Sequence, residues 1–333
     1  MKFSDITGQK PVVDRLRKYA GSGQLSHSYG FCGPKGIGKR TVADIFARAV
    51  LCIDPGPDGA CGKCIPCVAY EAGTSPDFVR LAAEEGSIGV DLARYLQEQA
   101  MTRPVNSKYK VFIIEDAEKM TEQAQNCLLK MFEEPAPNSL HILTVSYYEA
   151  LLPTLRSRLA RIDFKRNTTE EVLQYLSSRF KAAESVLRLA ALYSGGIIGT
   201  AVNAVSTPRF AELRENAWKT VLSLYGRDLF QALNVSSFFE ANKERIDLVL
   251  DLMESFIRDM MLSASGVDPS MLINQDKEDI IFDIARNTAP AKFVRDMEVL
   301  GMARRDIRFN INFPLAIDSV ILKFQEVRDR WSR

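Results

Sequence analysis

A chain of 333 residues with 46% hydrophobic and 26% charged positions has the makeup of a soluble globular protein with room for two or three domains. Its 43 Lys and Arg against 42 Asp and Glu leave it about neutral, which argues against a dedicated nucleic-acid binder, since such a surface needs a basic excess or a basic run. The opening MKFSDITGQK lacks the apolar core of a secretion signal, and an uncharged stretch from Leu189 to Pro208 is too rich in Gly, Ser, Thr and Asn to span a membrane. That stretch reads instead as a helix end, a glycine turn and a buried helix, and the expected location is cytoplasmic.

The first 165 residues read as alternating strands and helices. Ser28-Tyr29-Gly30-Phe31 is a short apolar segment that runs into glycines, and Thr41 to Leu51 is apolar at helical spacing. Lys110-Val111-Phe112-Ile113-Ile114 has the β-branched, unbroken apolar character of a buried parallel strand. Gln123 to Phe132 reads as a helix that stops at Glu134-Pro135, and His141 to Ser146 as another strand. The alternation predicts an α/β P-loop domain, a parallel sheet with helices on both faces. Beyond Phe164 the strand signal ends. Thr168-Thr169-Glu170-Glu171 has the spacing of a capping box, and Ile246, Val249, Leu250, Met253, Ile257 and Met260 form one apolar helical stripe. The expected division is a nucleotide-binding domain over 1–165, a small helical domain over 166–207 and a larger all-α domain over 208–333, joined at Ser206-Thr207-Pro208.

Three groups of residues carry chemistry. Gly33-Pro34-Lys35-Gly36-Ile37-Gly38-Lys39-Arg40-Thr41 follows a strand and opens a helix, the context in which backbone N–H groups wrap around phosphates and a Lys reaches the outer ones. The alternative is a glycine turn without a ligand. ATP or ADP is the candidate ligand, but Mg²⁺ lacks its usual hydroxyl: Arg40 stands there, and Thr41 lies about 100° further round the helix. Glu115 and Asp116 end the apolar strand as a metal-binding acid pair would, in reversed order. Solvated acids at a strand end are the competing reading, and efficient hydrolysis is not expected. Cys52, Cys61, Cys64 and Cys67 are spaced to surround a structural Zn²⁺ in a module over about 52–67, with an iron–sulfur cluster as the rival. Cys32 and Cys127 are expected in apolar packing.

Taken together, these motifs resemble the AAA+ clamp-loader subunits of bacterial DNA polymerase III. Phe3 to Gln9 resembles the segment near the adenine, and Asn126 to Pro135 the helix after the acidic strand. The strand ending at Ser146 resembles sensor 1, and Leu155-Arg156-Ser157-Arg158-Leu159 the Ser-Arg-Cys motif with Leu159 in place of Cys. Asn310 to Ala316 resembles the end of a helical collar. The resemblance implies that Arg158 is an arginine finger given in trans to a neighbouring ATPase subunit. It also implies a hetero-pentamer with gamma/tau and delta subunits that meets the sliding clamp and primed DNA through the complex. Within the family, Arg40, the reversed acids and the absence of an Arg in Gly195 to Ala201 favour the delta-prime class over the gamma/tau motor. The end of the chain soon after the collar-like segment fits the same expectation, as tau continues into further domains. The alternatives are an active AAA+ ATPase, gamma/tau-like or from DNA repair, and a zinc-bearing scaffold with an empty phosphate loop.

Overall fold

The computed structural model describes residues 1–83, 86–226, 235–309 and 311–331. They divide into two compact units, Met1–Arg179 with Gly196–Ala201, and Phe180–Gly195 with Val202–Arg333. Asn310, at the head of the collar-like segment, lies outside the described residues.

The first unit is built on five parallel strands: β1 (Ser28–Cys32), β2 (Phe78–Leu81), β3 (Lys110–Ile114), β4 (Ser139–Val145) and β5 (Ala160–Asp163), in the order β2-β3-β4-β1-β5. Strands covered on both faces need no polar alternation, and all five residues of β1 and of β3 are buried. The period of two then divides the core. Val111 and Ile113 pack with Phe31, Val42 and Phe46, beneath α1 (Lys10–Ser22) and α2 (Lys39–Leu51). Phe112 and Ile114 point the other way and pack with Leu96 and Leu128, on α4 (Val90–Ala100) and α5 (Glu122–Glu133). A short α3 (Ile65–Glu71) follows the cysteine-rich segment. Asp77, fully buried, stitches the approach to β3, accepting from the backbone N–H groups of Val105, Asn106 and Ser107 at 2.6, 2.7 and 2.7 Å.

The capping box takes the form its spacing predicts. Thr168 Oγ1 accepts from Glu171 N at 3.1 Å, Glu171 Oε2 accepts from Thr168 N at 2.9 Å, and helix Thr169–Arg179 begins there. The uncharged stretch is the end of helix Glu184–Tyr193, a turn through Gly195 and Gly196, and helix Ile198–Ser206. This last helix is only half-buried, with Ala201 and Ala204 inward and Asn203 and Ser206 in solvent. Small side chains let it approach its neighbours closely without the wide apolar face of a core helix.

The second unit is helical. All six residues of the predicted stripe on helix Ile246–Ala264 are buried, beside Phe256, whose ring lies 4.8 Å from that of Trp218. One buried polar network crosses it: Arg214 donates to Asn274 Oδ1 at 2.8 Å, and Asn274 donates to Asp259 Oδ2 at 2.9 Å. Among the described residues no helix is long and apolar enough to cross a membrane.

His141 on β4 is fully buried between the rings of Phe112 and Phe132, at 5.2 and 5.4 Å. Burial holds its pKa down at about 4, against about 6.5 in an unfolded chain. Between those values the unfolded state carries the extra proton, so stability rises with pH and is lost as pH falls through that window. We expect this group to cost the fold on the order of 3 kcal/mol between pH 7 and pH 4. Denaturant unfolding of the parent and His141→Phe across that range checks it, and equal pH slopes would dismiss the role.

Candidate functional site

The carboxyl ends of β1, β3 and β4 lie side by side, and the chemistry-bearing segments follow them: Gly33 to Gly38, Glu115 with Asp116, and Ser146. Clefts outside the carboxyl ends of parallel strands are the usual ligand sites of α/β sheets. Gly33, Gly36 and Gly38 have φ of 153°, 81° and 106°, a backbone that only glycine adopts readily. Gly33 has a second constraint, because a Cβ there would lie 2.8 Å from the carbonyl oxygen of Phe164. The loop opens α2 with Gly38 at its N-cap, so the first N–H groups of the helix have no intrahelical acceptor.

Lys39 is 5% exposed and closes the loop on itself, donating from Nζ to Gly33 O at 2.5 Å, Pro34 O at 3.0 Å and Ser146 Oγ at 3.1 Å. Burial lowers its pKa, and the carboxylates of Glu118 and Asp116 act against that. Ser146 sits just beyond β4, and its backbone N–H donates to Glu118 Oε1 at 3.1 Å. Gly36, at the crest, accepts from the N–H of Gly199 at 2.9 Å, which seats the start of helix Ile198–Ser206 on the loop. Gly33, Pro34, Lys35 and Ser146 border a cavity of about 410 Å³, with Tyr148 and Arg161 among its walls. Ile37 is buried in the core beneath the loop.

Arg40 turns toward the acidic strand. Its Nε lies 3.1 Å from Glu115 Oε2 and its Nη2 2.6 Å from Asp116 Oδ2. Glu115 is buried and also lies 3.6 Å from Arg80 Nε, while Asp116 lies 3.6 Å from Lys119 Nζ. Thr41 is exposed and lines a different cavity, of about 730 Å³, with Asp44, Arg48 and Tyr70. Its hydroxyl is therefore not part of the phosphate loop. Arg80 and Glu118 complete this charge cluster, and no sequence pattern singles them out: one is on β2 and the other in the turn after β3.

Arg158, just past α6 (Pro153–Arg156), is exposed. It donates to Thr154 O at 2.6 Å and Ser157 Oγ at 3.1 Å and pairs with Glu133 at 2.7 Å. Leu159 beside it is buried.

The sulfurs of Cys52, Cys61, Cys64 and Cys67 all lie within 4.8 Å of one another, with Cys52 and Cys64 3.8 Å apart. Tetrahedral Zn–S bonds of about 2.3 Å put sulfurs roughly 3.8 Å apart, so the donor set fits a tetrahedral thiophilic ion. Backbone amides support the thiolate form: Cys61 N donates to Cys52 Sγ at 3.3 Å and Cys64 N to Cys61 Sγ at 3.4 Å. N–H groups of Lys63 and Cys64 pull the Cys61 thiol down to about 6. The intervening loop closes through reciprocal hydrogen bonds of Gly56 and Gly59, at 2.9 and 3.1 Å. Cys32 is buried, but Cys127 is half-buried, its sulfur 3.8 Å from Gln97 Oε1. Cys127 packs against the apolar core as expected, but only in part, because α5 also offers it to the polar flank of α4.

Comparison with known proteins places the sequence in a family. The family model described as "DNA polymerase III, delta subunit" matches residues 8–168, and "DNA polymerase III, delta subunit, C terminal" matches 208–326. The tau subunit of Bacillus subtilis DNA polymerase III is 26% identical over 97% of this chain and 61% of its own length. The delta' subunit of the same organism is 26% identical over 96% of both chains. A DNA polymerase III gamma subunit-related protein of Thermotoga maritima superposes over 94% of this chain and 99% of that one, with 18% identity and a TM-score of 0.42. The chain thus spans less than two thirds of the tau subunit it matches. With the two family models following one another along it, the chain belongs to the clamp-loader subunit family of DNA polymerase III.

Proposed function

We propose that the chain acts as a delta-prime-like arm of a DNA polymerase III clamp loader, helping to load a sliding clamp onto primed DNA while hydrolysing little or no ATP itself. In this reading it joins gamma/tau and delta subunits in a cytoplasmic hetero-pentamer, with residues 166–207 as a lid and 208–333 as a collar. The observation that carries it is the guanidinium of Arg40 lying across Glu115 and Asp116, the acids a motor subunit would keep for metal and water. The phosphate loop, Lys39 and Ser146 serve to hold ATP or ADP. Arg158 serves as the finger: it is exposed, and its partners are a backbone oxygen, a hydroxyl and the half-exposed Glu133. Contacts of that kind leave a guanidinium free to exchange onto a phosphoryl group of a neighbouring subunit, where it would neutralise developing charge.

A second reading, an active motor, draws support from the Lys39–Ser146 hydrogen bond, which joins phosphate loop and sensor strand as catalysis would require. Steady-state turnover by the isolated chain separates the two. We expect none above background with or without primed DNA, and a kcat near the enzyme median of about 10 s⁻¹ would favour the motor.

For Arg158→Ala we expect an intact fold and a loss on the order of 10³-fold at the one neighbouring site it serves. In a reconstituted complex this appears as the loss of that site's share of total ATPase. Unchanged turnover would sink the finger assignment.

We assign structural Zn²⁺ to the four cysteines because their sulfur spacing and amide donors suit a closed thiolate site with no open position. Elemental analysis should find one zinc per chain and no iron. Cys64→Ser should release it and lower the melting temperature by about 5 °C, as a loss of about 2 kcal/mol would in a unit of this size. Iron in place of zinc would overturn the assignment.

A further inference from the structure

Mg²⁺ at a phosphate loop is ordinarily held by a hydroxyl on the residue after the Lys and by a carboxylate from the acidic strand. Neither donor is available in this chain. The residue after Lys39 is Arg40, and the hydroxyl of Thr41 belongs to another face of α2. Both carboxylates are already engaged by one planar fork, Arg40 Nε on Glu115 at 3.1 Å and Arg40 Nη2 on Asp116 at 2.6 Å. Arg80 and Lys119 approach the same two acids at 3.6 Å. Three cations thus face two carboxylates. An incoming divalent ion would have to displace a permanently charged guanidinium that fits two acids at once, and would then sit among positive charges. The donor set does not fit Mg²⁺.

The same arrangement supplies what the metal normally contributes to a bound polyphosphate, a fixed positive charge beside the loop. Arg40 Nη1 enters no hydrogen bond or ion pair among the described residues, and the side chain is 54% exposed. A donor therefore remains after both acids are satisfied, one residue along the helix from Lys39.

We propose that Arg40 is a built-in replacement for the divalent cation: this phosphate loop takes nucleoside di- or triphosphates without Mg²⁺, and the acids after β3 recruit no divalent ion. The ligand half of this statement rests on the nucleotide-holding role given above. The closing of the acid pair stands on the geometry of Arg40 alone.

Two measurements on the full chain test it. In calorimetric titration with ADP and with ATP, replacing EDTA by Mg²⁺ should change the wild-type affinity by less than about threefold. Arg40→Ser returns a hydroxyl to the metal-ligand position and frees both acids, and its affinity should rise about tenfold or more with Mg²⁺. Melting temperatures in MgCl2 and in NaCl of matched ionic strength give a readout that needs no nucleotide. The variant should gain stability from Mg²⁺ specifically, and the wild type should not. A wild-type affinity that rises about tenfold with Mg²⁺ overturns the proposal. So does an equal Mg²⁺ response of the two melting temperatures, including no response in either, since Arg40 would then not be what excludes the ion. Failure of any nucleotide to bind sinks the nucleotide-holding role and the ligand half with it, while the two melting temperatures still decide the rest. Should Arg40→Ser not fold, Arg40→Gln, neutral and of similar reach, takes its place in both measurements.

Discussion

The pairing of β1 with β4 is the constraint on which the site depends. Its register sets Ser28 against His141 and Cys32 against Val145, so the two strands end level with one another. The next hydrogen bond of that ladder, Gly33 N to Val145 O at 3.1 Å, ties the first residue of the phosphate loop to the end of the neighbouring strand. Ser146 is the residue that follows, within reach of Lys39 as a direct result. Because β3 pairs with the far edge of β4, Glu115 and Asp116 arrive at the same rim. A slip of one residue in any of these strands would turn that strand's side chains to the opposite face and dismantle the constellation. The two-sided apolar core makes such a slip expensive.

On that rim the charges come close to balance. Lys39, Arg40, Arg80 and Lys119 are interleaved with Asp44, Glu115, Asp116 and Glu118, with separations of 2.6 to 3.6 Å for the acid-pair contacts. A working phosphate-transfer site leaves carboxylates free to hold metal ions. Here the chain completes itself, and the residue responsible is the one placed where a small hydroxyl would be needed. The glycine backbone, the buried Lys39 and Ser146 lie together at one end of the sheet, while Glu115 and Asp116 are held by the guanidinium of Arg40.

The cysteine module illustrates another separation. Its four sulfurs are brought within a metal's reach by local structure: the end of α2, a glycine-closed turn and the start of α3. All four cysteines fall within sixteen residues, and so their clustering was legible in spacing alone. The rim is the opposite case. Arg80 and Glu118 are as much a part of it as Arg40, yet nothing in their immediate sequence marks them, since strand order decides which turns become neighbours.

The amino-acid sequence by itself determined whatever depends on short-range periodicity and residue type. That includes the buried parallel strands, the capping box at Thr168, the apolar stripe on helix Ile246–Ala264, the glycine loop and the cysteine cluster. It also marked Arg40 as an intruder among metal ligands, but as an absence, a missing hydroxyl. Tertiary structure alone decided what the intruder does. A guanidinium on α2 meets carboxylates some 75 residues away only because the strands close in the order they do. Tertiary packing likewise left the helix at Ile198–Ser206 half-buried and gave Cys127 a polar neighbour. Side-chain type sets what a residue is able to bind, whereas the folded sheet sets what lies within its reach.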